Sequence, residues 1–261
     1  HLSDKTVAWI ACILMLQPLE WCKVIYACFF PDANPQQMIY SLTEVYPQMK
    51  ESSLWELIKA NLVTGQLASL NWAWCYGRVF QTASLFMAGM LLGRKGLFRL
   101  TDETHGKVMH FWLRVGIAAL PSAVVLYYLK DFIYSQIANP FMKASMETIW
   151  NSWYNLACML VMVSAFLLLY WTNKGKVQQL LVPYGKMSLT DYISQSLIGS
   201  FLYYGYGLGL HRYCGTTYSL LIGIVFFLLQ LLFAHWWFRH FKRGPLETIW
   251  HKLTWIHAKR K

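Results

Sequence analysis

Acidic side chains are scarce in this sequence: 12 Asp and Glu stand against 23 Lys and Arg in 261 residues, giving a formal net charge of +11. Charge of either sign is also thin, at 13% of the chain against 56% hydrophobic residues. Soluble domains carry about a quarter of their residues as charges, so that class is excluded by composition. Chemical signatures are missing too. The six cysteines, Cys12, Cys22, Cys28, Cys75, Cys158 and Cys214, show neither Cys-x-x-Cys nor zinc spacing, which points to no metal site and to small apolar packing roles. An oxidised pair among Cys28, Cys75 and Cys214 is the minor alternative. Neither His-x-x-x-x-Asp nor Gly-x-Ser-x-Gly occurs, and no nucleotide-binding motif, internal repeat or low-complexity tract is visible.

What is present is a succession of long apolar runs. A helix needs about 20 predominantly apolar residues to cross a bilayer. Six runs qualify, at 6–30, 74–93, 108–129, 149–171, 188–208 and 217–238. They lack the two-residue alternation of membrane barrel strands. The expected fold is therefore all-α, a polytopic transmembrane helix bundle with six spans plus interfacial helices, in which residues 1–261 form a single transmembrane domain. Thirteen Trp and sixteen Tyr suit two interfacial aromatic belts. Pro18 is expected to kink the first span. The N-terminal run is too long and too polar for a signal peptide, with Glu20 and Lys23 inside it.

Basic residues orient the bundle. Arg94, Lys95, Arg99 and Lys107 follow the second run; Lys174, Lys176 and Lys186 follow the fourth; Arg239, Lys242, Arg243, Lys252, Lys259, Arg260 and Lys261 follow the sixth. The opposite loops hold only Lys50, Lys59, Lys130, Lys143 and Arg212. The positive-inside rule places the richer side, and both chain ends, in the cytoplasm. The excess positive charge is thus topology and attraction to anionic lipid, which displaces nucleic-acid binding as its explanation. Ser53-Leu54-Trp55-Glu56 has the form of a capping box opening an outer-surface helix. Gly244-Pro245 should turn the chain into an amphipathic inner-surface helix, with Trp250 and Trp255 at the headgroups.

Ionisable groups inside spans are costly and seek partners within the protein. At 1.5 Å per residue, Arg114 lies roughly 9 Å from the inner end of its span. Asp191, Gln195, His235 and His110 fall at a similar depth, so a cytoplasm-facing polar cluster is expected in which Arg114 approaches Asp191, with Gln195 and His235 nearby. Ser188, Tyr192, Gln195 and Gly199 share one helical face. Toward the outside, Arg78 and Gln81 share a level with Glu20 and Lys23, and Glu20 is the expected partner of Arg78. The bland alternative for both groups is a packing network that satisfies itself. Gly205 and Gly207 permit close backbone approach at the end of the fifth run, and Gly89 and Gly93 form a Gly-x-x-x-Gly pair expected to pack.

Several spaced motifs occur in order: Gly185-Lys186-Met187-Ser188-Leu189-Thr190, Tyr192 with Gln195-Ser196, Tyr204-Gly205-Tyr206-Gly207-Leu208-Gly209-Leu210, and Gly244-Pro245-Leu246-Glu247 with Trp250. Upstream, Gly77-Arg78, Gln81 and the run 86–94 join them. Over residues 74–256 the chain resembles the bacterial domain-of-unknown-function 418 (YeiB-like) membrane proteins. The resemblance implies the bacterial cytoplasmic membrane, and further membrane helices before His1, so that the chain is expected to be N-terminally truncated. The family usually carries Asn at the position of Asp191. More distantly, the family resembles membrane acyltransferases. That likeness implies a central cavity, acyl-coenzyme A as a cytoplasmic donor, His235 or His110 as base or acyl carrier, and Arg114 as an anion contact. Arg78, Gln81, Asp191, Tyr192 and Gln195 are the further candidate substrate contacts. The alternative functions are a permease for a small anionic solute, in which buried Arg, Asp and His bind the solute or carry a proton, and a non-catalytic envelope protein. Lipid and a small-molecule substrate are the expected partners, without nucleic acid.

Overall fold

The computed structural model describes residues 3–32, 46–51, 53–101, 103–172 and 176–255. Of the basic loop residues, Lys174, Lys259, Arg260 and Lys261 lie outside that set. The regular elements among the described residues are all helices: α1 (Asp4–Met15), α2 (Pro18–Phe29), α3 (Tyr46–Glu51), α4 (Leu54–Ala60), α5 (Gln66–Cys75), α6 (Arg78–Arg94), α7 (His105–Ser135), α8 (Pro140–Thr172), α9 (Lys176–Lys186), α10 (Ser188–Tyr203), α11 (Thr216–His240) and α12 (Pro245–Thr254). A π-helical turn, Asn61–Gly65, joins α4 to α5.

Three helices, α7, α8 and α11, are long and apolar enough to cross a membrane, and the bent pair α1–α2 makes a fourth if it counts as one span. Six spans are therefore not confirmed among the described residues. α6 has 17 residues and α10 has 16. At 1.5 Å per residue each is about 25 Å long, short of a hydrocarbon core of roughly 30 Å.

The chain divides into two compact units, one of His1–Ser41 with Gln66–Thr172, the other of Leu42–Gly65 with Asn173–Lys261. In the first, α7 and α8 pack along their length, α1 lies on α6, and α2 lies on α8. Trp112, Val108 and Trp171 form its buried apolar cluster. Indole N–H groups tie off backbone there: Trp112 Nε1 donates to the Leu97 carbonyl at 2.7 Å and Trp150 Nε1 to that of Leu126 at 2.7 Å. Asn139 starts α8, its Oδ1 accepting from the Phe141 and Met142 amides. In the second unit α9 packs on α11, and α10 on α12. α4 opens with the expected capping box, Ser53 and Glu56 bonding each other's backbone amides. α11 ends at His240 and the chain restarts at Pro245, so the corner expected at Gly244-Pro245 is present.

Candidate functional site

Two helix breaks meet on α8 in the first unit. The first apolar run bends at the expected Pro18 step: α1 and α2 are inclined by 41° around Gln17, whose φ of 59° is the one positive value at a non-glycine position among the described residues. Left-handed backbone costs an L-residue about 1–2 kcal/mol, and Gln17 is held there by its contacts. Its side chain is fully buried; Nε2 donates to the Gly77 carbonyl at 2.9 Å and to Ser152 Oγ at 3.0 Å. The Met15 carbonyl, freed by the break, accepts from Trp153 Nε1 at 3.0 Å. Gly77 is the second break, separating α5 from α6 at φ +62°, and a Cβ there would stand 2.6 Å from Gln17 Oε1. Gln81 completes the lattice by donating to the Ser152 carbonyl at 3.1 Å.

Arg78 and Gln81 do come together, Arg78 Nη1 donating to Gln81 Oε1 at 2.7 Å, and the guanidinium lies over the Trp72 ring. The expected Arg78–Glu20 pair is replaced by Glu20 with Lys23 at 2.8 Å. One helical turn separates those two, which is cheaper to close than a contact between helices. Glu20 is 2% exposed. Beside it lies a cavity of about 210 Å³ lined by Glu20, Lys23, Tyr76, Phe141, Glu147 and Asn151, among others. Ser145 and Thr148, both buried, also line it. Sequence reasoning missed Gln17, Ser145, Glu147, Thr148, Asn151 and Ser152. The visible signal was the polar stripe 145, 148, 152 at helical spacing, together with a Gln-Pro step inside an apolar run.

The second unit builds a different polar system. Glu247, in the first turn of α12, accepts from the Leu189 amide at 2.8 Å, the Thr190 amide at 3.1 Å and the Thr190 hydroxyl at 2.6 Å. Thr190 Oγ1 in turn accepts from the Leu246 amide at 3.1 Å. Each side chain thus caps the other's helix, satisfying N–H groups that lack a partner within the helix and placing a carboxylate at two positive helix ends. Burial alone would push the Glu247 carboxyl up. The bonds from the Thr190 hydroxyl and from the Thr190 and Leu189 amides outweigh it and hold it below its ordinary value of 4.5. Gly244 is required beside this clasp, because a Cβ would collide with the Glu247 carboxylate and meet Met187 Cγ at 2.7 Å. Pro245 occupies the first helical position. The motif residues Gly244, Pro245 and Glu247 therefore close on Leu189 and Thr190, just after Gly185 and Lys186 at the end of α9.

Asp191 is buried, with its Oδ2 unbonded. Gln230 of α11 gathers the residues around it. Its Nε2 donates to the Asp191 carbonyl at 3.1 Å and to Ser194 Oγ at 2.9 Å, and its Oε1 accepts from Gln195 at 2.9 Å. Gln195 also reaches Tyr184 Oη at 3.0 Å. Gln230 is a further residue the sequence reading missed. Tyr192 is 71% exposed. His235 Nδ1 lies 3.0 Å from the Leu231 carbonyl of its own helix. Arg114 and His110 are exposed residues of α7 in the first unit, whereas Asp191, Gln195 and His235 belong to the second. Beyond α10, the Leu208 amide returns to the Phe201 carbonyl at 2.9 Å and the Gly205 amide to that of Met49 at 3.0 Å. Gly207 sits so close to the Phe201 carbonyl that a Cβ would clash, so the close approach expected of these glycines is a chain reversal. Gly89 and Gly93, expected to pack, face open space.

All six cysteines are free, and no group of three or more His, Cys, Asp or Glu able to hold a metal occurs among the described residues. The apolar helices make this a membrane protein. The uncharacterized protein YxaH of Bacillus subtilis (strain 168) is 33% identical over 90 residues, covering 33% of this chain and 22% of that protein. The uncharacterized protein YeiB of Escherichia coli (strain K12) is 39% identical over 70 residues, 27% of this chain and 18% of YeiB. An uncharacterized 39.9 kDa protein from the amylase 3′ region of Bacillus acidopullulyticus is 35% identical over 80 residues, 29% and 21% of the two chains. The matched segments thus span far less than two thirds of each relative. No solved structure matches. The family described as "Protein of unknown function (DUF418)" matches residues 92–257, from the end of α6 through α12, with Arg78 and Gln81 upstream of it. With more than half of its 261 residues matched, the chain belongs to the DUF418 family.

Proposed function

We propose that this chain is part of a bacterial cytoplasmic-membrane permease, with its ends on the cytoplasmic side, and that the first unit holds a small polar solute. The carrying observation is the polar cavity beside the α1–α2 break, with the buried Glu20 and its partly buried partner Lys23 in its wall. Broken helices at membrane depth are tolerated where they are buried or line a cavity, and transporters place solute sites at such breaks. A helix bundle that only packed would be stable with apolar residues at Glu20, Lys23, Ser145 and Thr148, since each buried polar group must recover its desolvation cost. Acyl transfer needs a base and an oxyanion donor converging on one point. His235 is turned onto its own helix carbonyl, which gives that reading less support.

The test is solute-driven current or uptake in proteoliposomes containing the full-length protein, across a panel of amines, amino acids and carboxylates. A solute-dependent signal that disappears in Asn151→Leu supports the permease. Silence across the panel, together with loss of an acyl group from the lipids or cell wall of a deletion strain, overturns it in favour of acyl transfer.

A further inference from the structure

The charge on the cavity wall identifies a class of ligand. Two carboxylates, Glu20 and Glu147, and one ammonium, Lys23, line it. Lys23 is committed to Glu20 at 2.8 Å. Glu147 has no ion-pair partner among the described residues, where the pairs are Lys23–Glu20 and Arg94–Asp4. A half-buried carboxylate without a counter-charge is unfavourable in a low-dielectric bundle, and a monovalent cation beside it removes the imbalance. This reverses the anionic solute that the buried arginines had suggested: Arg78 is absent from the cavity lining and is bonded to Gln81.

The rest of the wall favours an organic cation over a metal ion. Tyr76 and Phe141 supply aromatic rings, whose negative faces attract ammonium groups. Ser145, Thr148 and Asn151 supply neutral hydrogen-bonding groups, and no metal-holding cluster of acidic, His or Cys side chains is present among the described residues. The cavity of about 210 Å³ has room for a small amine with a short polar remainder.

We propose that this cavity binds a small organic ammonium ion, with Glu147 as its counter-ion and the Tyr76 and Phe141 rings as its apolar walls. The proposal rests on the permease reading for its role but not for the existence of the site. The full-length protein in lipid nanodiscs is titrated calorimetrically with ethanolamine and tetramethylammonium as probes, and with acetate, glycerol and sodium chloride as controls. Both ammonium probes should bind and the controls should not. Glu147→Gln, nearly isosteric, should weaken both probes by at least tenfold while leaving the unliganded protein folded and no less heat-stable. Phe141→Leu should weaken tetramethylammonium more than ethanolamine, which can still hydrogen-bond, and provides a second test if Glu147→Gln fails to fold. Preferential binding of acetate, binding of neither probe, or equal affinity in wild type and Glu147→Gln overturns the proposal. Ammonium binding without uptake in proteoliposomes leaves the site standing and removes the permease. Uptake indifferent to Glu147→Gln does the reverse.

Discussion

Removing the Glu247 carboxylate should unfasten the starts of two helices at once, although the residue belongs to only one of them. In Glu247→Ala the Leu189 and Thr190 amides of α10 lose their acceptor. Loss of an N-terminal cap costs about 0.5–2 kcal/mol. The Thr190 hydroxyl also loses its bond to the carboxylate at 2.6 Å, and hydrogen bonds to charged groups are worth about 1.5–3 kcal/mol. Contributions within one network overlap, so the expected total is about 2–4 kcal/mol. Thr190→Val removes the hydroxyl while leaving both amide bonds, and it strands the Leu246 amide; its cost should be about 1–3 kcal/mol. Hydrogen exchange on the purified protein in nanodiscs, followed on peptides covering 187–192 and 244–249, reads both helix starts. At tenfold per 1.4 kcal/mol, Glu247→Ala should speed exchange at 189–190 by roughly thirty- to several-hundred-fold. Thr190→Val should speed it at 246, and Thr190→Ser should restore protection. The double variant should fall short of the sum by about 1–2 kcal/mol, the sign of a shared network. Unchanged exchange at 189–190 in Glu247→Ala, or strictly additive losses, would refute the reciprocal clasp.

Three further outcomes follow from the same geometry. Gly244→Ala forces a Cβ against the Glu247 carboxylate and Met187 Cγ and should cost about 1–3 kcal/mol, as overpacking does, read as a lowered thermal midpoint; a neutral result would mean the corner shifts freely. Gln17→Ala loses the bonds to Gly77 and Ser152 and keeps the left-handed backbone, whereas Gln17→Gly loses the bonds and relieves it. The alanine variant should therefore be less stable than the glycine variant by about 1 kcal/mol, and the opposite order in thermal melts would contradict the strain assigned to Gln17. Because the folded Glu247 carboxyl lies below its ordinary value of 4.5, its contribution is complete above that pH and is lost as pH falls through the lower folded value. The wild-type midpoint should drop below that pH more steeply than that of Glu247→Gln, and parallel curves would show that the carboxylate contributes nothing.

Why some of this was legible and some not comes down to which coordinate a sequence rule measures. Length and apolarity measure depth along one helix, and they located α7, α8 and α11. Local capping rules reach three or four residues, and they located Ser53 and the Gly244-Pro245 corner. Within the second unit, depth alone placed Asp191, Gln195 and His235 together in expectation. Two residues at one depth meet only if their faces turn toward each other, and hydropathy carries no information about rotation around the helix axis. The partner that gathers Asp191, Ser194 and Gln195 is Gln230, a lone amide in an apolar run that depth counting had no reason to single out. The same blindness hid the cavity. An apolar threshold starts the fourth run at 149, whereas α8 begins at Pro140, and the turns it discards carry Ser145, Glu147 and Thr148. Polar residues lower the hydropathy of a helix where it lines a cavity, so the criterion that finds spans erases the part of the span on which a solute would act. The first run bends where Pro18 predicts, by 41°. The residue before proline is itself pushed out of the α region, and here that residue leaves the helix altogether and bonds Gly77 and Ser152. A polar residue immediately before a proline inside an apolar run is therefore the local signal of a built break, and in this chain it leads directly to the cavity wall.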